Sequence, residues 1–232
     1  MLKYPSTLRV VTYNIHKCRG MDRRIRPERI VDVLKKIDAD IIALQEVLCV
    51  ENASPGKDQA RFIADELGFN FIFGENRRLK GGGYGNVTLS RFPIHVDRNY
   101  DVTTPGREPR GCLRADIRFG SAIVHVFNVH FGTSLSEHRQ QARRLFDEGI
   151  VNSGDSHGGM RIVLGDFNEW LRGPLSRTLL LHLEDADIRH HLHRTRTYPG
   201  FLPLVQLDHI FHDPSLKLRK SAQELNRSAP RA

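Results

Sequence analysis

The 232-residue sequence predicts an α/β domain, and three features carry that expectation. Apolar runs of strand length alternate with segments whose apolar residues recur at helical spacing. The first of these, residues 8–46, has the layout of a β-α-β unit, which implies parallel strands joined by a crossover helix. No repeat, low-complexity tract or linker interrupts the pattern, and the length suits one domain with a sizeable core. The expected division is a domain over residues 1–212 and a polar, basic tail over 213–232.

Composition narrows the setting. Hydrophobic residues make up 39% and charged residues 27%, an ordinary water-soluble balance. No apolar run approaches the roughly 18 residues of a membrane span, and MLKYPSTLRVVTYN enters a strand pattern without a signal peptide's apolar segment. Integral membrane association is therefore not expected. Cys18, Cys49 and Cys112 are sparse, widely spaced and in no metal-ligand pattern, which fits a reducing cytoplasm. The net charge of +8 favours anionic partners. Half of that excess lies beyond Pro214, where Lys217, Arg219, Lys220, Arg227 and Arg231 face only Glu224. The body is only mildly basic, so charge alone does not define a nucleic-acid binder.

Taken in order, Leu8 to Asn14 is an apolar strand ending on an amide. Pro27 opens a helix whose Ile30, Val33, Leu34 and Ile37 form one face. Ile41 to Leu44 is a second strand, ending at Gln45-Glu46. Residues 58–67 read as a helix stopped by Gly68, and Phe69 to Phe73 as the next strand. KGGGYGN lacks the following Gly-Lys-Ser/Thr of a phosphate cradle and reads as a flexible turn before the strand Asn86 to Ser90. Arg107 to Arg110 is a charged loop leading into the strand Cys112 to Phe119.

Ala122 to His130 alternates as a strand, with Asn128 and His130 on one face. Ser134 and Glu137 have capping-box spacing for a helix of about four turns. Ile162, Val163 and Leu164 form a buried strand followed by Gly165, Asp166, Phe167 and Asn168. If that strand persists, Asp166 and Asn168 share a face; the alternative is an Asx-turn at the strand's end. Leu175 to Leu183 reads as a short helix, Glu184 to Asp187 as an acidic turn, and Leu204 to Phe211 as the last strand. His190, His191 and His193 lack ligand spacing and read as a basic loop bordering the site.

Polar residues thus end six strands: Asn14, Glu46, Asn86, His130, Asp166 with Asn168, and Asp208. A carboxylate and an amide at the mouth of a buried strand suit a hydrated divalent cation and an attacking water.

The motifs VTYNIH (11–16), DIIALQEV (40–47), GNVTLSRFPI (85–94), NVHFG (128–132), VLGDFN (163–168) and QLDHIF (206–211) together resemble the endonuclease/exonuclease/phosphatase superfamily. The resemblance implies a four-layer α/β/β/α sandwich, two mixed sheets face to face, with a Mg²⁺ site at one end. It also implies hydrolysis of phosphate esters by in-line attack of an activated water, with nucleic acid among the substrates and Mn²⁺ as a second candidate cofactor. By motif, Glu46 matches the principal metal ligand, assisted by Asn14, and Asp166 the residue that positions and deprotonates the water. Asn168 and His130 match phosphate contacts, and Asp208 the aspartate that orients a catalytic histidine. Tyr84, Asn86, Arg110 and Trp170 are expected to face the substrate.

One motif departs from the family pattern. That histidine comes from a final Ser-Asp-His strand, and no histidine follows His212 here. His209 should point away from Asp208, and His212 should lie about 13 Å along the strand. The tail reads as that strand cut off or replaced. A metal-dependent phosphoesterase and a member that binds phosphate-containing partners without efficient turnover are the two readings that result.

Overall fold

Two apolar faces on each sheet dictate the architecture. The computed structural model describes residues 6–51, 53–54, 56–152, 159–170, 172–186 and 207–219. The first sheet holds β1 (Val10–Asn14), β2 (Ile41–Cys49), β3 (Asn70–Leu79) and β4 (Gly82–Ser90), in the order β1-β2-β4-β3. The second holds β5 (Ile94–Asp101), β6 (Gly111–Phe119), β7 (Ala122–His130), β8 (Met160–Asp166), β9 (Glu184–Asp185) and β10 (Asp208–His212), in the order β5-β6-β7-β8-β10-β9. Both sheets are mixed: β1 runs parallel to β2 and β7 to β8, while the other pairs are antiparallel.

Alternation along the strands sorts their apolar residues into three layers of contact. Ile41, Ala43, Ala115, Ile117, Val126, Ile162 and Leu164 meet between the sheets. Ile42, Leu44, Val87 and Leu89 face the other way, against Ile30 and Leu34 of α1 (Pro27–Ile37) and Ile63 of α2 (Gln59–Leu67). Phe127, Val129, Val163 and Phe211 pack beneath Leu145 of α3 (Leu135–Phe146) and Leu179 of α4 (Pro174–Leu179). The result is the helix–sheet–sheet–helix sandwich that the resemblance implied. Pro27 starts α1, and Ser134 and Glu137 close a complete capping box on α3.

Several elements differ from expectation. The glycine run is strand, not a flexible turn: β4 is buried along its whole length. Only Lys80 and Gly81, both at positive φ, turn the chain. At Gly85 a side chain would collide with the Gly74 carbonyl of β3, so glycine there permits close backbone approach. The β5 strand was not anticipated, because its largely exposed IHVDRNYD has no apolar face to announce it. Glu184–Asp185, read as a turn, pairs with β10. Beyond His212 the chain stays docked: the Asp213 amide donates to the Arg161 carbonyl at 2.8 Å, and Leu216 packs against the inter-sheet core. The histidine-rich loop of His190, His191 and His193, and the tail beyond Arg219, lie outside the described residues.

Candidate active site

The site forms at one edge of the sandwich, where β1, β7 and β8 end beside β2, and a backbone irregularity within β2 creates it. In β2, Leu44 pairs with Val87 and Val47 with Gly85, so Gln45 and Glu46 together oppose the single residue Asn86. This is a β-bulge, and Glu46 adopts φ 58° within it. Without it, alternation would send Glu46 with Leu44 towards the helices. With it, Glu46 turns inward and meets Asn14, whose Nδ2 donates to Glu46 Oε1 at 3.2 Å and to Asp166 Oδ2 at 3.0 Å.

His16 and Lys17 approach Glu46 from the turn after β1. Lys17 Nζ lies 2.7 Å from Oε2 and His16 Nδ1 3.3 Å from Oε1. Burial alone would raise the pKa of Glu46, but these two neighbours outweigh it and hold the carboxyl well below the usual range. His16, Lys17 and Cys18 all have positive φ (46°, 57° and 56°), a left-handed turn without glycine that costs on the order of 1–3 kcal/mol per residue. Gln59 of α2 secures it by donating to the Lys17 carbonyl at 2.7 Å, while its own Oε1 accepts from Leu48 N. None of His16, Lys17 and Gln59 was singled out from the sequence, although the first two directly follow the NI of the first motif.

Asp166 ends β8 directly beside His130, its register partner on β7, and Asp208, its partner on β10. Its Oδ1 accepts the Asn168 amide at 3.0 Å, so the chain leaves the strand in an Asx-turn and Asn168 (φ 51°) does not share the strand face. Asn168 Nδ2 instead donates to the Phe131 carbonyl at 3.0 Å, beside Asp166. His130 Nε2 is 3.9 Å from Asp166 Oδ2. Burial pushes the His130 pKa down, and although Asp166 pulls the other way, the guanidinium of Arg110 reinforces the drop. Arg110 Nη1 lies 3.1 Å from His130 Nδ1 and 3.3 Å from Nε2.

From Arg110 the contacts continue to Glu108 at 3.0 Å, from Glu108 to Arg77 at 2.9 Å, and from Arg77 to a stacked position 4.9 Å from the Tyr84 ring centroid. Lys17 lies 5.2 Å from the same centroid. Glu46 also lies near Tyr84, and burial, with that charge, raises the Tyr84 pKa. The contacts therefore close a circuit: Glu46, Lys17, Tyr84, Arg77, Glu108, Arg110, His130, Asp166, Asn14 and back to Glu46.

Of the residues anticipated from the sequence, the circuit brings together Asn14, Glu46, Tyr84, Arg110, His130 and Asp166, with Asn168 and Asp208 beside Asp166. Trp170 stands 63% exposed on the loop after Asn168. Asn86 is corrected. It is fully buried and donates to the Gly111 and Asn128 carbonyls at 3.1 and 3.3 Å, which ties the sheets together instead of facing a substrate. Asn128 plays a similar part, bonding the Leu44 and Val87 carbonyls and the Gln45 amide. His209 turns to the outer face, edge-on to Phe167, away from Asp208, and His212 lies four residues along against Ile162.

As for a cation, among the described residues no three His, Cys, Asp or Glu side chains converge as a metal cage. What the site offers is hard oxygen: the Glu46 carboxylate, already drawing two basic side chains, and the Asn14 amide oxygen. That donor set fits Mg²⁺, which prefers one or two carboxylates and fills its other positions with water and phosphate oxygens.

An open-ended α/β/β/α sandwich with carboxylates, an amide and an imidazole at one edge defines the class, and the comparisons agree. Residues 11–228 match the family described as endonuclease/exonuclease/phosphatase, and the chain belongs to it. It is 35% identical over 219 residues to the uncharacterized protein YbhP of Escherichia coli K12, covering 88% of this chain and 84% of that one. A mannosyl-6-phosphatase, Bt3783 of Bacteroides thetaiotaomicron, shares the fold with a TM-score of 0.73 at 19% identity, over 90% of this chain and 86% of that one. An endonuclease/exonuclease/phosphatase from Beutenbergia cavernae matches with a TM-score of 0.64 at 22% identity, over 89% of this chain. This chain spans 64% of that protein's length. No helix among the described residues is long and apolar enough to cross a membrane.

Proposed function

We propose that the protein is a Mg²⁺-dependent phosphoesterase that hydrolyses a phosphate ester by in-line attack of water. The observation that carries this is the Glu46–Asn14–Asp166 chain of contacts at the mouth of the sandwich, with His130 adjoining it. Glu46 and Asn14 would hold Mg²⁺, which when bound polarises a phosphoryl oxygen and neutralises charge in the transition state. Asp166 is held by two donated hydrogen bonds, and its carboxylate accepts the proton of the attacking water. Asn168 spends one amide hydrogen on the Phe131 carbonyl and has the other for a phosphate oxygen. His130, kept neutral by burial and Arg110, donates its single N–H without adding a charge that competes with the metal.

The test is hydrolysis of bis(p-nitrophenyl) phosphate and p-nitrophenyl phosphate with Mg²⁺, with Mn²⁺ and with excess chelator. Metal-dependent turnover is expected, lost in Asp166→Asn. Binding of Mg²⁺ and phosphate without any turnover would favour a non-hydrolytic family member.

A further inference from the structure

Hydrolysis of a phosphate ester needs the acidic side of the circuit and His130; it does not explain the basic side. There, Lys17, Arg77 and Arg110 gather around Tyr84 and Glu108, and Glu108 is the carboxylate that pairs with both arginines. Glu108 takes Nη2 of each arginine, one oxygen apiece. The Nε atoms of both arginines are buried and have no hydrogen-bond partner among the described residues, and Arg110 is 8% exposed. A guanidinium fork with Nε unpaired suits the paired oxygens of a phosphate or carboxylate, and beside a site for a phosphate ester a further phosphate is the anion at hand. Two cations already lie against the Tyr84 ring, so it is not a bare platform for stacking a nucleobase.

We propose that Arg77 and Arg110, supported by Lys17 and Tyr84, form a second anion subsite that binds another phosphate group of the substrate next to the one hydrolysed. The substrate class is therefore a phosphoester carrying a neighbouring phosphate. It rests on the phosphoesterase reading only for what happens at the adjoining position. Glu108 aligns the two forks, and the incoming phosphate takes the edges that Glu108 leaves open. Such a group could belong to a small bisphosphate or to the phosphorylated end of a polynucleotide.

The experiment compares matched pairs: propane-1,3-diol bisphosphate against propyl phosphate, and the dinucleotide pTpT against TpT. In the wild type, kcat/KM is expected to favour the member with the extra phosphate by about tenfold or more, the value of one good charge-assisted contact. In Arg77→Gln that ratio should fall towards one, and Arg77→Lys, which keeps charge without the fork, should restore only part of it. Preference in the bisphosphate pair alone supports the subsite with a small substrate; preference in the dinucleotide pair alone supports it with a polynucleotide end. The same probes are titrated calorimetrically into Asp166→Asn and Asp166→Asn/Arg77→Gln. A binding preference that disappears with Arg77, together with a wild type that turns over none of the probes, keeps the subsite and removes the phosphoesterase reading. Equal handling of both members of each pair, in turnover and in binding, overturns the subsite whatever the activity, as does a preference that survives Arg77→Gln.

Discussion

In and at the edge of the second sheet are two sets of arginine, histidine and aspartate, and they behave differently. On the face turned towards α3, Arg114 grips Asp116 through Nε and Nη2 at 2.8 and 2.9 Å, and His125 Nδ1 lies 2.7 Å from the same carboxylate. All three residues are buried. At the strand ends on the inner face, Arg110 divides its contacts between His130 and Glu108 and touches no aspartate, and His130 stands 3.9 Å from Asp166. The first set is saturated: the carboxylate's bonds are made within it, and nothing is left for a ligand. The second is slack, with donors and acceptors near each other but incompletely matched. Residue type does not separate structural from chemical roles here; saturation of the hydrogen bonds does.

That contrast can be broken first at the two aspartates. Asp166→Asn should lower turnover by about 10²–10⁴, because an amide cannot take the water's proton, while the unfolding midpoint barely moves. Single-turnover hydrolysis and urea unfolding on the same samples decide it; near-normal rates would mean that another base works in the slack set.

Asp116→Asn should do the reverse, costing about 3–5 kcal/mol of stability because Arg114 is left buried without its counter-charge. Turnover per folded molecule should persist. Burial raises the Asp116 pKa, but His125 and Arg114 outweigh it and the net shift is downward. A depressed carboxyl pKa contributes stability that is complete above the unfolded value of about 3.9 and is lost as pH falls through the folded value. The wild type should therefore lose an increment of stability in that acid window, and the variant should not. A variant that unfolds with the same acid profile as wild type would remove Asp116 from the account.

Within the slack set, Glu46→Gln keeps the shape of the side chain and removes its charge. Mg²⁺ affinity by calorimetry should fall by more than the roughly 10–100-fold that loss of an outer-shell partner costs, with an unchanged circular dichroism spectrum. Equal affinity in both proteins would assign the cation elsewhere.

The smallest stability effect is expected at the rim. Trp170→Ala, at an exposed position, should change stability by less than about 0.5 kcal/mol. A raised KM with unchanged kcat would identify Trp170 as a substrate contact, and identical kinetics would exclude it.

Much of this was legible in the residues because it depends on local pattern. The apolar runs at 10–14, 41–44, 122–130 and 162–164 are strands because alternating or continuous apolar sequence can be buried only that way. The Ser134–Glu137 box and Pro27 mark helix starts through backbone geometry that needs no distant partner. Motif order was enough to nominate Asn14, Glu46, His130 and Asp166. Sequence pattern failed where polar strands carry no periodic signal, as in β5, and where glycines serve a neighbouring strand, as in β4.

What only the tertiary structure decided is which polar residues face each other. Asn86 and Asn14 look alike in the sequence as amides in strands, yet one is fully buried between sheets and the other bridges two carboxylates. Glu46 reaches the site only because a one-residue bulge against Asn86 reverses the side to which it points. Lys17 reaches Glu46 only because a left-handed turn is secured by Gln59, 42 residues away. Arg77, on β3 of the first sheet, and Arg110, on the segment that enters β6 of the second, meet through Glu108. Strand formation is a local consequence of side-chain pattern, whereas inter-sheet contact depends on register, bulges and packing angle, which no single stretch of sequence encodes.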